Sequence, residues 1–211
     1  TVLRSLGPVV VIIDEADASL GDRNQDGDSG TSGRVFSMIA QQMGDTQYRG
    51  RIIWMLLTCR PDLLPIDLKR QGRAEVHIPL FYPHSEAEIR LMFGVMGRKN
   101  GIKLDASTLT LSERHKTLSG ADIESVVLTA RRFALVDNRN DVTQDDVATA
   151  LADFIPSAQG IEKDMQEAAA VLECTQLDFL TPEWRERLDA KDGRAKLQQQ
   201  FTQMRATVEN M

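Results

Sequence analysis

Two short apolar runs stand out along the chain, Val9-Val10-Val11-Ile12-Ile13 and Ile52-Ile53-Trp54-Met55-Leu56-Leu57, and neither alternates with polar residues. Both are rich in β-branched side chains and bounded by polar segments. They predict strands covered on both faces, which is the arrangement of a parallel sheet. Between them Val35, Met38, Ile39, Gln42 and Met43 keep helical spacing, so the unit is strand, helix, strand. A third short strand is expected over 75–80. The stretch 21–33, dense in Gly, Asp, Asn and Ser, predicts a mobile loop.

After Pro83 the pattern turns helical. Ser85 and Glu88 have capping-box spacing ahead of an apolar face of Ile89, Met92, Phe93 and Met96, and Asn100-Gly101 closes that helix. Ser119 with Asp122 starts a second, striped by Ile123, Val126, Val127, Ala130 and Phe133. Thr143 with Asp146 starts a third, through Val147, Leu151 and Phe154 to Pro156. Further on, Thr181-Pro182-Glu183 reads as a helix start, and Leu197, Phe201, Met204 and Val208 form a narrow stripe. That stripe suits a helix docked on the rest of the molecule, or a partner-binding coiled coil. The organisation expected is an α/β part over 1–84, an all-helical domain over 85–157 and a helical extension over 158–211.

Composition narrows the class. Of 211 residues, 42% are hydrophobic and 27% charged, the mix of a globular protein. A net charge of -6 argues against a general binder of phosphate backbones. Cys59 and Cys174 are too far apart for a redox pair and suit unpaired thiols in a reducing, cytoplasmic setting. No apolar run approaches the roughly 18 residues of a membrane span. The chain opens on Thr1 and enters a strand within a few residues, as a fragment of a longer protein would.

The chemistry gathers at the strand ends. Asp14 and Glu15 follow directly on the first strand, and in an open parallel sheet the ligand crevice lies at the carboxyl ends of the strands. Neighbouring side chains there point to opposite sides, so one carboxylate can bind Mg²⁺ on a nucleotide while the other orients an attacking water. Taken alone, the pair could equally be a solvated strand end. The second strand ends in Thr58-Cys59-Arg60-Pro61-Asp62, and Arg70-Gln71-Gly72-Arg73 follows closely.

With those residues in order, the chain resembles the AAA+ ATPases across roughly residues 1–157. The run 9–15 looks like a Walker B motif and 58–62 is similar to the sensor-1 segment. Residues 70–73 resemble the paired arginine fingers, and Gly120-Ala121-Asp122 the sensor-2 region opening the lid. The resemblance implies a hexameric ring of like subunits that binds ATP with Mg²⁺ at its interfaces and works on a macromolecule, a protein before a nucleic acid. By position, Asp14 would serve Mg²⁺ and Glu15 would activate water. Arg70 and Arg73 would reach the γ-phosphate bound by a neighbour, and Gly120 and Ala121 would admit the adenine. Guanidinium suits the arginines' part because it is always charged and binds phosphate oxygens two at a time.

Three departures matter. No G-x-x-x-x-G-K-[ST] occurs, so the phosphate-cradling loop is expected upstream of Thr1, together with any aromatic pore loop. The sensor-1 position, usually Asn, is Cys59, whose thiol is a weak donor. Ala74 stands where an aromatic often follows the second arginine. The stretch 21–33 corresponds in position to a second pore loop. Asp14-Glu15-Ala16-Asp17 also spells a helicase signature, but the arginine motif follows within about sixty residues, too soon for a second helicase domain. The alternative of a different class is a non-hydrolysing relative acting as a scaffold or regulatory subunit, with Cys59 in its favour.

Overall fold

The computed structural model describes residues 6–20, 31–112, 115, 118–156 and 160–210. The chain separates into two compact units, one of residues 1–79 with 164–211 and the other of 80–163. The first carries the sheet together with the C-terminal helices.

In the first unit, β1 (Val9–Ile13) and β2 (Ile52–Leu56) pair in parallel, Val9 opposite Ile52 and Ile13 opposite Leu56. Their β-branched and aromatic side chains suit a pleated surface. A parallel pair needs a crossover, and α1 (Ala16–Leu20) and α2 (Thr31–Met43) lie between the strands in sequence. After β2, α3 (Ile66–Lys69) completes a core of Ala16, Leu20, Ala40, Met43, Leu64 and Leu68, with Ile13, Trp54 and Leu56 packed on it.

The strands were expected to be covered on both faces, but among the described residues only one face is. Val10 and Ile12 are 49% and 61% exposed, Ile53 and Met55 56% and 46%. The inward face belongs to Val9, Val11, Ile13, Trp54 and Leu56, so burial alternates where the sequence does not. The strand expected over 75–80 does not form. That segment is extended, but its bonds run to Thr175, with His77 N–H donating to Thr175 Oγ1 at 3.0 Å. The glycine-rich stretch over 21–33 falls mostly outside the described residues, except that 31–33 already belong to α2.

The second unit is helical: α4 (Glu86–Lys99), α5 (Gly120–Val136) and α6 (Gln144–Asp153). Its core is Ile89, Phe93, Leu118, Ile123, Val126, Val127, Val147 and Leu151. Ser119 and Thr143 each make both halves of a capping box with the aspartate three residues on. Ser85 makes only one half, because Glu88 turns its carboxylate to the His84 N–H at 3.0 Å. At the end of α4, Gly101 takes φ 67° and Ile102 N–H reaches back to Gly97 O at 2.8 Å, a turn glycine closes without strain.

The chain continues through α7 (Ile161–Glu173), α8 (Pro182–Asp189) and α9 (Gly193–Glu209). Thr181 caps α8 with Pro182 in its first turn, and Leu197 and Phe201 of the C-terminal stripe are buried. No helix among the described residues is long and apolar enough to cross a membrane. A small parallel sheet followed by a helical domain is the arrangement that the AAA+ resemblance implies.

Candidate functional site

The carboxyl ends of β1 and β2 are laced together by backbone bonds. Leu57 N–H donates to Ile13 O and Ala16 N–H to Leu57 O, each at 2.9 Å. That lacing brings Asp14 and Glu15, at the end of one strand, beside Thr58 and Cys59, at the end of the other. Both carboxylates and the Cys59 thiol are exposed.

Glu15 has φ 49°, a left-handed conformation uncommon for a residue with a Cβ. Its carbonyl accepts the Ala18 and Ser19 N–H groups, each at 3.0 Å, so the chain turns from strand to helix on this residue. Asp14 Oδ1 accepts the Glu15 N–H at 2.9 Å. Backbone held in such a conformation costs on the order of 1–3 kcal/mol and gathers at functional sites.

A third acid joins the strand ends. Thr58 donates its hydroxyl to Asp17 Oδ1 at 2.5 Å and accepts the Arg60 N–H at 2.9 Å. Arg60 then clasps Asp62 at both oxygens, Nε to Oδ1 at 3.0 Å and Nη2 to Oδ2 at 2.9 Å. Those bonds, with the fields of Glu209 and Asp17, hold the guanidinium above even its usual range, so its charge is fixed. The Asp17–Thr58 pair is the residue contact that sequence reasoning missed; its one signal was a third acid within four residues of the strand.

The two arginines sit elsewhere. They belong to a turn after α3 that is closed by Arg73 N–H to Arg70 O at 3.2 Å and Ala74 N–H to Leu68 O at 3.0 Å. Gly72, at φ 84°, makes that turn possible. A Cβ on Gly44 would lie 3.5 Å from Arg73 Nε, and one on Gly72 would lie 3.1 Å from Arg49 Nη2. Residues 44–49 lie where the chain leaves α2 to enter β2, the end of the strand opposite to Cys59. The Arg73 guanidinium therefore lies toward the end of the sheet opposite to Asp14 and Glu15.

Their surroundings also differ. Arg70 is 58% exposed and pairs with the exposed Asp67 at 3.4 Å, its one ion partner among the described residues. Arg73 is 17% exposed, donates to Asp67 O at 2.7 Å and is tied to its own chain. Gly120 and Ala121 open α5 in the second unit, and a Cβ on Gly120 would meet Met96 Cε at an ordinary 3.5 Å. The Asp122 that follows closes the capping box, taking the Ser119 N–H at 2.9 Å.

No group of three or more His, Cys, Asp or Glu among the described residues could hold a metal by itself. Mg²⁺ does not need one, since it keeps several waters and binds through one or two carboxylates plus phosphate oxygens. The exposed Asp14 carboxylate at the strand end fits that demand.

Comparison with known proteins fits this geometry. Residues 1–82 match the model of the ATPase family associated with various cellular activities (AAA). The chain is 31% identical to proteasome-activating nucleotidase 1 of Haloferax volcanii over 71% of its length and 37% of that protein's. It is 30% identical to the proteasome-activating nucleotidase of Thermococcus kodakarensis, over 79% of this chain and 41% of the relative. To the cell division cycle protein 48 homolog of Archaeoglobus fulgidus it is 30% identical, over 63% and 18%. The chain thus spans less than half the length of these relatives.

Proposed function

Because the chain belongs to the AAA ATPase family, we propose that it supplies the hydrolytic half-site and the helical lid of an ATP-driven machine that remodels a macromolecule. The observation that carries this reading is the meeting of Asp14, Glu15, Thr58 and Cys59 where two parallel strands end. There a nucleotide's phosphates would meet acids but no cradle, since these 211 residues contain no phosphate loop.

In that site Asp14 would hold Mg²⁺, which when bound would neutralise phosphate charge. Glu15 orients the attacking water and accepts its proton, the strained turn fixing where the carboxylate can go. Cys59 takes the place of the usual amide beside the water. Arg70, exposed at its turn, stabilises the charge that develops on a neighbour's γ-phosphate. Gly120 and Ala121 line the adenine. Two remote half-sites demand a closed ring of like subunits, for which we take six, and a protein is the substrate most in keeping with the relatives' names. Two unpaired thiols suit a cytoplasmic location.

Glu15→Gln in the intact protein tests the reading. It keeps the size of the side chain and removes the base, so ATP binding should persist while turnover falls by at least about 10². Turnover at the wild-type rate would sink the assignment. The second reading, a non-hydrolysing scaffold, rests on the thiol at position 59 and is separated by the same assay: the wild-type protein would then show no turnover to lose.

A further inference from the structure

The arginine turn is held at both ends by one residue about a hundred positions away. Lys69, immediately before Arg70, donates to Glu173 Oε1 at 2.7 Å and to Pro61 O at 3.1 Å. His77, just after the turn, places Nδ1 2.7 Å from the Glu173 carbonyl oxygen and Nε2 2.8 Å from Ala74 O. Its backbone is tied to the same place, with the His77 N–H on Thr175 Oγ1 at 3.0 Å and the Thr175 N–H on His77 O at 3.5 Å.

Each bond has a local reason. Glu173 is the last residue of α7, and carbonyls of a helix's final turn lack partners within the helix, so a ring N–H is a natural cap. The Lys69 side chain is only 10% exposed, so its charge needs the Glu173 carboxylate and the Pro61 carbonyl. The turn itself is closed by its own backbone and by the Gly72 N–H on Glu75 Oε2 at 2.6 Å. Among the described residues the Arg70 side chain is held by Asp67 alone. Where its guanidinium points is therefore set by the turn, and where the turn stands is set by Glu173.

We propose that Glu173, acting through Lys69 and His77, is the positioning residue for the Arg70 finger, so that the end of α7 governs hydrolysis in the neighbouring subunit. This rests on the trans role given to Arg70 above. The C-terminal helices become the route by which anything that moves α7 reaches a neighbour's phosphate. A misplacement of about 1 Å can cost about 10² in rate without any change in chemistry.

The test uses the intact, assembled protein. Glu173→Ala should lower kcat for ATP by about 10-fold to 100-fold while KM changes by less than about twofold, because the variant's own nucleotide site is untouched. Glu173→Gln keeps an acceptor for Lys69 and should retain more turnover. Mixing Glu173→Ala subunits with Glu15→Gln subunits should restore turnover, as mixing Arg70→Ala subunits would, since each lesion then falls at a different interface. Combining Glu173→Ala with Arg70→Ala should do no more harm than Arg70→Ala alone. Unchanged kcat in Glu173→Ala, an additive double variant, or a loss that tracks ring disassembly by light scattering would each overturn the proposal while leaving the trans arginine standing. Full turnover in Arg70→Ala would instead remove the reading on which it rests.

Discussion

Arg70 and Arg73 look equivalent as letters and are not equivalent as side chains. Arg73 is mostly buried, with its guanidinium on the Asp67 carbonyl at 2.7 Å, while Arg70 is 58% exposed. Removing Arg73 takes the charged donor from the Asp67 carbonyl and the half-buried side chain from the turn. Arg73→Ala should therefore cost about 1–2 kcal/mol of stability, measured by urea unfolding. Arg70→Ala should change stability by less than about 0.5 kcal/mol yet abolish turnover of the assembled protein. Equal stability losses would show that the two share one structural job. At this scale the acids and arginines were legible because they sit in short local patterns. Asp17 to Thr58 and Lys69 to Glu173 were not, since pairings over 41 and 104 positions leave no trace in local spacing.

Helix starts show the same rule one level up. Ser119 with Asp122 and Thr143 with Asp146 need only three residues and a backbone N–H, so the boxes form as the spacing predicts. Glu88 has a rival donor in the His84 N–H and takes it. Strand 75–80 fails for a different reason: a strand is defined by its partner, and here the backbone bonds run to Thr175. The cap of α6 carries a further load. Arg139 grips Asp146 at both oxygens, at 2.7 and 2.8 Å, joining the end of α5 to the start of α6. Those bonds hold the Asp146 carboxyl far below the usual carboxylate range, with Thr143 helping. A depressed folded value means that the stabilisation is complete above the ordinary aspartate value of about 3.9 and is lost as pH falls below it. Arg139→Gln should thus lower the melting temperature near about pH 7, and the gap from wild type should narrow toward about pH 2. A gap that stays constant with pH would mean that Arg139 acts by packing alone.

For the whole molecule, the sheet is the informative part. Two strands without alternation predicted cover on both faces, yet Val10, Ile12, Ile53 and Met55 stand exposed on one. They are also adjacent in register, Val10 opposite Ile53 and Ile12 opposite Met55, so they form one continuous apolar patch. Among the described residues only one of the two faces is covered. Parallel sheets are stable with both faces covered, and exposed patches of this kind drive association. Under the reading proposed here, that face is covered in the assembled ATPase module. Two outcomes follow for the 211-residue chain on its own. It should bind ATP with a Kd weaker than about 1 mM by calorimetry, because acids without a cradle repel phosphate more than they hold it. It should also self-associate in sedimentation, and Ile12→Gln should reduce that association. The same substitution in the intact protein should destabilise by about 1–3 kcal/mol, because there Ile12 is expected to be covered. Opposite signs for one change in two contexts would mark the patch as a face awaiting its own chain. Neutrality in the intact protein would show that the face remains open to solvent, and the cover would have to be sought elsewhere.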